Sequence, residues 1–266
     1  MWIKGEAALL AYTDKIAPHF RVRRTLMGES PDGLEAIRKA FRSEPRIATA
    51  HPRIHLLLSN SDLVIEGEVA TIAAKKLALE RAAALADVQG IVDRLRVAPA
   101  ERMGDGAIRD LVRDALLEEP ALAECSVRVV VKKRSEPVRI VDQATGIIEV
   151  AVEDGVVTLD GEVSGLALKR LAGVLAWWVP GSRDVINGIG VTPPEDDDDG
   201  KITDAVRAAL EKDAIVNPDQ IRVSTRNAVV TLQGQVPTDS EREAAEFDAW
   251  YVFGVDEVVN HIKVRR

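Results

Sequence analysis

The sequence VVTLDGEV at residues 156–163 recurs as VVTLQGQV at residues 229–236 and as LVIEGEV at residues 63–69. In each copy the glycine stands 30 residues before a valine that closes the similarity, and the three segments align without a gap. Repetition at a fixed period is typical of one structural unit that occurs in tandem. The chain is therefore predicted to contain three copies of one small module, whose strand glycines are Gly67, Gly161 and Gly234.

Each copy has the periodicity of two strands, a helix and a third strand. Apolar residues alternate upstream of the quoted segment, as at Ile148, Val150 and Val152, and predict a half-buried strand that pairs with it in a hairpin. An amphipathic helix precedes the hairpin in each copy. We therefore predict the α+β class, with three tandem two-layer domains. Each has helix–strand–strand–helix–strand order and a three-stranded sheet.

The glycine late in the second strand predicts a bulge or the close approach of another backbone segment. The predicted domains are an N-terminal segment at 1–30, a divergent first domain at 31–98, a second domain at 102–193, an acidic linker at 194–200 and a third domain at 201–266. The second domain is the longest because two β-prone runs flank Lys132-Lys133-Arg134. These runs predict an inserted or extended hairpin with a basic tip near residues 126–146.

Hydrophobicity patterns bear on the compartment. The uncharged run near the start of the chain is too short for a secretory signal, and no run reaches the 18 apolar residues that a membrane span needs. We therefore expect a soluble cytoplasmic protein, or a periplasmic one if the N-terminus is incomplete. The single cysteine, Cys125, excludes a disulfide framework within the chain.

The net charge of −8 is distributed unevenly along the chain. It is +2 for residues 1–30, +1 for 31–98, −4 for 99–193 and −7 for 194–266. This gradient argues against nucleic acid as a partner, because phosphate binding needs a concentrated basic face. The first third is the part suited to an anionic surface, and its basic residues include the group Arg21, Arg23 and Arg24.

The pattern V-x-L-x-G-x-V, an Ala-rich helix, a glycine and then V-x-N-x-I-x-V resembles the BON domain, named for bacterial osmotic-stress and nodulation proteins. In the first copy, Asp87 stands in place of the helix-ending glycine and Asp93 in place of the asparagine. The helix-ending glycines and the asparagines of the other two copies are Gly181, Gly254, Asn187 and Asn260.

The resemblance implies a non-catalytic module, since BON domains are usually described as attaching to phospholipid membranes. They occur commonly in the periplasm or as modules on secretins, channels and stress proteins, and one subgroup binds a potassium ion. This sequence adds no catalytic motif, because it has no HExxH, no G-x-S-x-G and no Walker loop. His51 and His55 are four apart, but Pro52 lies between them in a segment that leads into a strand. We expect no catalytic residue, no metal site and no cofactor.

Two further features keep alternatives open. The acidic linker is suited either to loose binding of a divalent cation or, as we favour, to a solvated spacer that caps the next helix. Trp177 and Trp250 occupy equivalent positions, one on each of two helices, at the flank rather than at the centre of the core. They suit either packing between neighbouring units or anchoring at a membrane interface.

These observations favour a non-catalytic binding module attached peripherally to an anionic phospholipid surface, in an envelope or osmotic stress response. The alternatives are a cytoplasmic protein-interaction scaffold and small-cation binding of the potassium type. No nucleic acid partner and no transmembrane segment are expected. The residues proposed to contact a surface are Arg21, Arg23, Arg24, Trp177 and Trp250.

Overall fold

The computed structural model describes residues 31–48, 53–59, 61–86 and 88–265. The chain divides into two compact units between Arg96 and Val97. The first copy of the repeat lies in the first unit, and the second and third copies lie in the second unit. Predictions for Arg21, Arg23, Arg24, His51 and Asp87 fall outside the described residues.

The first unit contains the divergent copy. Its elements are α1 (Pro31–Ser43), α2 (Pro45–Ala48), β1 (Ile54–Ser59), β2 (Asp62–Val69), α3 (Ile72–Leu85) and β3 (Gly90–Val97). The strands form a sheet of order β1-β2-β3, in which β1 and β2 are antiparallel. Helix α3 begins after Thr71, whose hydroxyl accepts a hydrogen bond from Ala74 N at 3.2 Å. The sheet and helices enclose an apolar core that includes Ile37, Phe41, Leu63, Ile65 and Leu77.

The second copy has a larger sheet than the other two. Its elements are α4 (Asp105–Glu118), β4 (Cys125–Val131), β5 (Arg134–Arg139), β6 (Gly146–Glu153), β7 (Val156–Val163), α5 (Leu166–Trp177), β8 (Asp184–Asn187) and β9 (Gly190–Val191). The sheet has the order β5-β4-β6-β7-β8, and β9 also pairs with β7. The last strand of the repeat is thus divided into β8 and β9.

The additional residues of the second copy form the hairpin β4–β5. Lys132 and Lys133 make its turn, with φ angles of +50° and +64°. Strand β4 pairs in parallel with β6, so the hairpin extends the predicted three-stranded sheet at one edge. The extension is stable there because the alternating Cys125, Val127 and Val129 are buried.

The third copy matches the predicted unit most simply. Its elements are α6 (Asp199–Lys212), β10 (Ile221–Arg226), β11 (Val229–Val236), α7 (Asp239–Tyr251) and β12 (Glu257–Val264). Its sheet order is β10-β11-β12, with β10–β11 antiparallel and β11–β12 parallel. Helix α7 begins after Thr238, whose hydroxyl accepts from Glu241 N at 3.2 Å. The predicted α+β class and tandem organisation are confirmed.

The first helix of a copy is joined to the hairpin turn by an aspartate in its first turn. The Asp105 carboxylate accepts hydrogen bonds from Asp154 N at 3.1 Å and Gly155 N at 2.9 Å. In the third copy, Asp199 accepts from Asn227 N at 2.8 Å and Ala228 N at 2.9 Å. The same carboxylates lie at helix N-termini, where negative charge is favourable. This contact fixes how the helix lies on its sheet.

Candidate functional site

The strand glycines are structural residues. Each pairs with the first residues of the preceding strand, and each has a positive φ, +138° at Gly67, +120° at Gly161 and +156° at Gly234. A Cβ at any of the three would lie 2.0 Å from a backbone carbonyl oxygen of that neighbouring segment. The close backbone approach expected from the sequence is therefore present, and only glycine fits it.

The family asparagines connect the last strand to the preceding helix. Asn187 Nδ2 donates to the carbonyl oxygen of Lys169 at 2.7 Å, and its Oδ1 accepts from Ile189 N at 3.4 Å. In the third copy, Asn260 makes the same two bonds, to Arg242 O at 3.3 Å and from Ile262 N at 3.0 Å. An amide suits this position because one side chain can donate and accept at once.

The first copy replaces this amide by an ion pair. Asp93 accepts from Leu95 N at 2.9 Å, but a carboxylate has no N–H to donate to the helix. Lys75, whose side chain is only 3% exposed, lies instead 2.8 Å from Asp93 and donates to Leu95 O at 2.9 Å. The divergence at this position thus keeps the link between helix and strand with different chemistry.

Gly181 and Gly254 are both closely packed. A Cβ at Gly181 would lie 2.8 Å from the side chain of Ile108 on α4, which leaves no room for another residue. A Cβ at Gly254, where φ is +92°, would lie 3.0 Å from the guanidinium of Arg170. Both helix-ending glycines therefore allow a neighbouring element to approach.

Helices α5 and α7 pack against each other and join the second copy to the third. The rings of Trp177 and Tyr251 are stacked with centroids 5.5 Å apart, and the ring of Phe247 lies 6.5 Å from that of Tyr251. Trp177 is half-buried in this position. Of the two alternatives for the aromatic residues, the contacts of Trp177 correspond to packing between neighbouring copies of the repeat.

The prediction that Trp250 contacts a membrane or partner surface is wrong. Trp250 is 0% exposed, among the largest fully buried side chains of the described residues. Helical periodicity predicts that Trp250 lies at the flank of α7, about 100° around the helix from Ala249. That flank is covered because α7 packs against α5 and α6 as well as against its own sheet.

A buried carboxylate lies in the same interface. Trp178 Nε1 donates to Oδ1 of Asp248 at 2.8 Å, and Asp248 is 2% exposed. The pKa of Asp248 is raised from 3.8 to about 7, mainly by burial; the Trp178 hydrogen bond lowers it, and the neighbouring Asp213 carboxylate adds to the rise. Burial, with the charge of Asp248, raises the pKa of Tyr251 to about 12. Asp248 thus gains or loses its proton near neutral pH.

Arg170 makes a buried polar connection between the two copies. Its guanidinium donates from Nε to Phe253 O at 2.8 Å and from one terminal nitrogen to both carboxylate oxygens of Asp197 at 2.7 Å. Its side chain is 2% exposed, although Asp197 is 39% exposed. The ammonium of the preceding Lys169 lies 4.9 Å above the ring of Phe253. In sequence, this Lys-Arg pair has no feature that separates it from ordinary helix-surface charge.

The acidic linker is exposed but attached at several points. Glu195 accepts from Leu166 N, the first residue of α5, at 3.0 Å. Asp198 accepts from Lys201 N at 2.9 Å and so caps α6, as the sequence predicted. Because Asp197 also accepts a hydrogen bond from Arg170, the linker is held against the neighbouring copies and is not a free spacer.

The described residues contain no group of three or more His, Cys, Asp or Glu side chains placed to hold a metal ion. Cys125 is buried, and this burial raises the pKa of its thiol. None of the described helices combines the length and the hydrophobicity that crossing a bilayer requires.

The chain is similar to two solved structures of CdsD, a structural protein of the type III secretion system of Chlamydia trachomatis. The first, of the C-terminal domain, is 16% identical, with a TM-score of 0.22, and the alignment covers 90% of this chain and 100% of that one. The second is also 16% identical, with a TM-score of 0.22, and covers 88% and 92%. A TM-score this low carries no argument about function. No curated protein matches the chain.

The sequence profile of the BON domain matches two segments, residues 141–193 and 198–266. They include β6 to β9 of the second copy and the whole of the third, with the strand glycines and asparagines described above. The match does not include the first copy, so a third BON domain stays a prediction. Residues 141–193 and 198–266 are thus similar in sequence to the BON domain.

Proposed function

We propose that the chain is a non-catalytic scaffold that binds a protein partner. The BON domain match supports a binding module of this kind. The observation that carries the choice of partner is the stacking of Trp177 on Tyr251, which joins two copies of the repeat. Trp250, the other residue suited to anchoring at a membrane, is fully buried.

The charge of the joined copies supports the same choice. Residues 99–193 carry a net charge of −4 and residues 194–266 a net charge of −7. An anionic lipid surface repels such a body over about a Debye length, roughly 8–10 Å in physiological salt. A protein surface with complementary charge does not impose this cost. A cytoplasmic location stays part of the proposal.

Peripheral attachment to phospholipid is the second candidate, and the basic residues of the first 30 positions favour it. Arg21, Arg23 and Arg24 lie together there, and each contributes about 1 kcal/mol when held near an anionic surface. Attachment through this segment needs no contribution from the α5–α7 interface. The two candidates therefore predict different behaviour with vesicles.

Co-sedimentation with phosphatidylglycerol-containing vesicles at low salt separates them. The scaffold proposal expects the full chain to stay in the supernatant. The same result is expected with neutral phosphatidylcholine vesicles, which serve as the control. Pelleting with anionic vesicles only would favour lipid attachment. In that case deletion of residues 1–30 should abolish pelleting, whereas Trp177→Ala should leave it unchanged.

A further inference from the structure

Among the described residues, no strand pairs with the outer edge of β10 in the third copy, whereas the equivalent edge in the second copy is paired. Strand β10 lies at one end of the described sheet β10-β11-β12. Its equivalent is β6, because Ile221 lies opposite Gly234 just as Ile148 lies opposite Gly161. On that side β6 pairs in parallel with β4. The chain therefore contains an example of what this edge of a repeat accepts.

The covering strand has a simple chemical pattern. Cys125, Val127 and Val129 of β4 alternate and are buried. Between them Arg128 faces away from the core, directly opposite Glu149 of β6, and their charged groups are 3.8 Å apart. Strand β4 thus fits this edge for two reasons: one of its sides is aliphatic, and its charge is opposite to that of the neighbouring strand.

The charges along β10 are the reverse of those along β6. In the structural alignment Arg222 replaces Glu149, and Arg226 replaces Glu153. Both arginines of β10 are exposed. A strand seated on β10 in the manner of β4 therefore needs an acidic residue, not Arg128, opposite Arg222.

An exposed side chain, which a partner could displace, hydrogen-bonds to the main chain of β10. Arg207 on α6 donates to the carbonyl oxygen of Val223 at 3.3 Å, and its side chain is 53% exposed. Its equivalent on α4 is Arg113, which pairs with Asp110 and Asp114 in the copy whose edge is covered, whereas Arg207 pairs with Asp204 and with the carbonyl of Val223. The capping contact is thus made in the copy without a covering strand.

We propose that β10 accepts an extended segment of a partner protein as a parallel fourth strand of the third sheet. The segment has aliphatic residues at alternate positions and an aspartate or glutamate opposite Arg222. This mode of recognition adds main-chain hydrogen bonds for affinity and alternate side chains for specificity. The inference rests on the proposed scaffold function and specifies the class of partner.

The outer edge of β5 does not fit the same role. Strand β5 contains Pro137, which has no N–H to donate to a further strand, and it begins and ends with Arg134 and Arg139. Proline and charge are common means of protecting an edge from strand addition. Strand β10 has no proline and keeps alternating buried residues, Ile221 and Val223, next to its edge.

The test uses peptides based on the chain's own covering strand. One peptide comprises residues 125–131 with Cys125→Ser and Arg128→Glu, and its matched control carries Cys125→Ser alone. Each is titrated into the isotope-labelled full chain, and amide shifts and affinities are measured. The acidic peptide should shift the amides of β10 and bind about fivefold to tenfold more tightly than the control, as expected when an opposite charge replaces a like charge across two strands.

The variant Arg222→Glu should reverse this preference, and Arg222→Gln should abolish it. Arg222 is exposed, so both variants should melt at the temperature of the wild type. The absence of shifts in β10, or the same preference in all three chains, would overturn the proposal. The vesicle experiment is independent of this result. A chain that ignores both vesicles and peptides keeps the scaffold function and loses only the β10 site.

Discussion

The indole nitrogen of Trp178 donates a 2.8 Å hydrogen bond to the buried carboxylate of Asp248 and so joins helix α5 to helix α7. One residue belongs to the second copy of the repeat and the other to the third. A carboxylate that is 2% exposed is costly when ionised, and its pKa of about 7 expresses that cost. The burial of this carboxylate therefore makes the stability of the joined copies depend on pH.

We expect Asp248→Asn to remove one component of this pH dependence. Between the ordinary pKa of 3.8 and the folded value of about 7, the native state binds more protons at Asp248 than the unfolded state does. The free energy of unfolding of the wild type should therefore fall, relative to the variant, as pH rises through this window, by on the order of 2–4 kcal/mol. Asparagine keeps an oxygen that accepts from Trp178 and carries no charge.

Urea unfolding of both proteins at pH 5, 6, 7 and 8 measures this difference. The variant should be the more stable protein at pH 8, and the two curves should converge at low pH. Curves that stay parallel across the whole range would show that Asp248 does not titrate near neutrality.

Gly161→Ala should destabilise the second unit by more than about 2 kcal/mol. The new Cβ would meet the carbonyl oxygen of Ile147 at 2.0 Å, at a φ of +120° that alanine rarely adopts. Gly106→Ala is the matched control, since it lies in helix α4 and a Cβ there meets only the end of Arg109 at 3.8 Å. The control should gain about 0.5–1 kcal/mol from helix propensity. Equal effects in thermal melts would contradict the account of the strand glycine.

Leu159→Ala and Leu232→Ala should each cost about 2–4 kcal/mol, because each leaves a cavity in a small core. Both leucines are 0% exposed and occupy equivalent positions in β7 and β11. Thr158→Ala is a suitable control on the opposite face of β7, where the side chain is half-buried. A loss below about 0.5 kcal/mol at either leucine would mean that the core is assigned to the wrong face.

Much of the fold is predictable from sequence because its signals are local and repeated. The alternation around Ile148 and the fixed register of Gly161 and Gly234 define hairpins, and the two β-prone runs around Lys132 form the hairpin β4–β5. That this hairpin pairs with β6 is harder to predict, since strand pairing depends on which edge is open. The period of a strand does not carry that information.

The interface between copies is what the sequence does not predict. Trp250 has the position of a flank residue in its own helix, yet it is fully buried in a helix that packs on α5 and α6 as well as on its sheet. Arg170 has the pattern of a surface charge until Phe253 and Asp197 are placed around it. The burial of both residues depends on contacts between elements that are distant in sequence. Periodicity describes only one element at a time.

The central claim is that the second and third copies form one body through the α5–α7 interface, and hydrogen exchange of the full chain tests it most directly. The variant is Arg170→Ala, which removes a buried cation bonded to Phe253 and Asp197 across the interface. The control is Arg113→Ala, which removes exposed ion pairs on α4 and should change exchange by less than about fivefold.

In Arg170→Ala, the amides of α5 and α7 should both exchange at least about tenfold faster than in the wild type, because loss of a buried side chain and its hydrogen bonds to Phe253 and Asp197 costs about 1–3 kcal/mol. Faster exchange in the third copy after a substitution in the second is the result that the account predicts. Faster exchange confined to α5, with α7 protected as in the wild type, would contradict it.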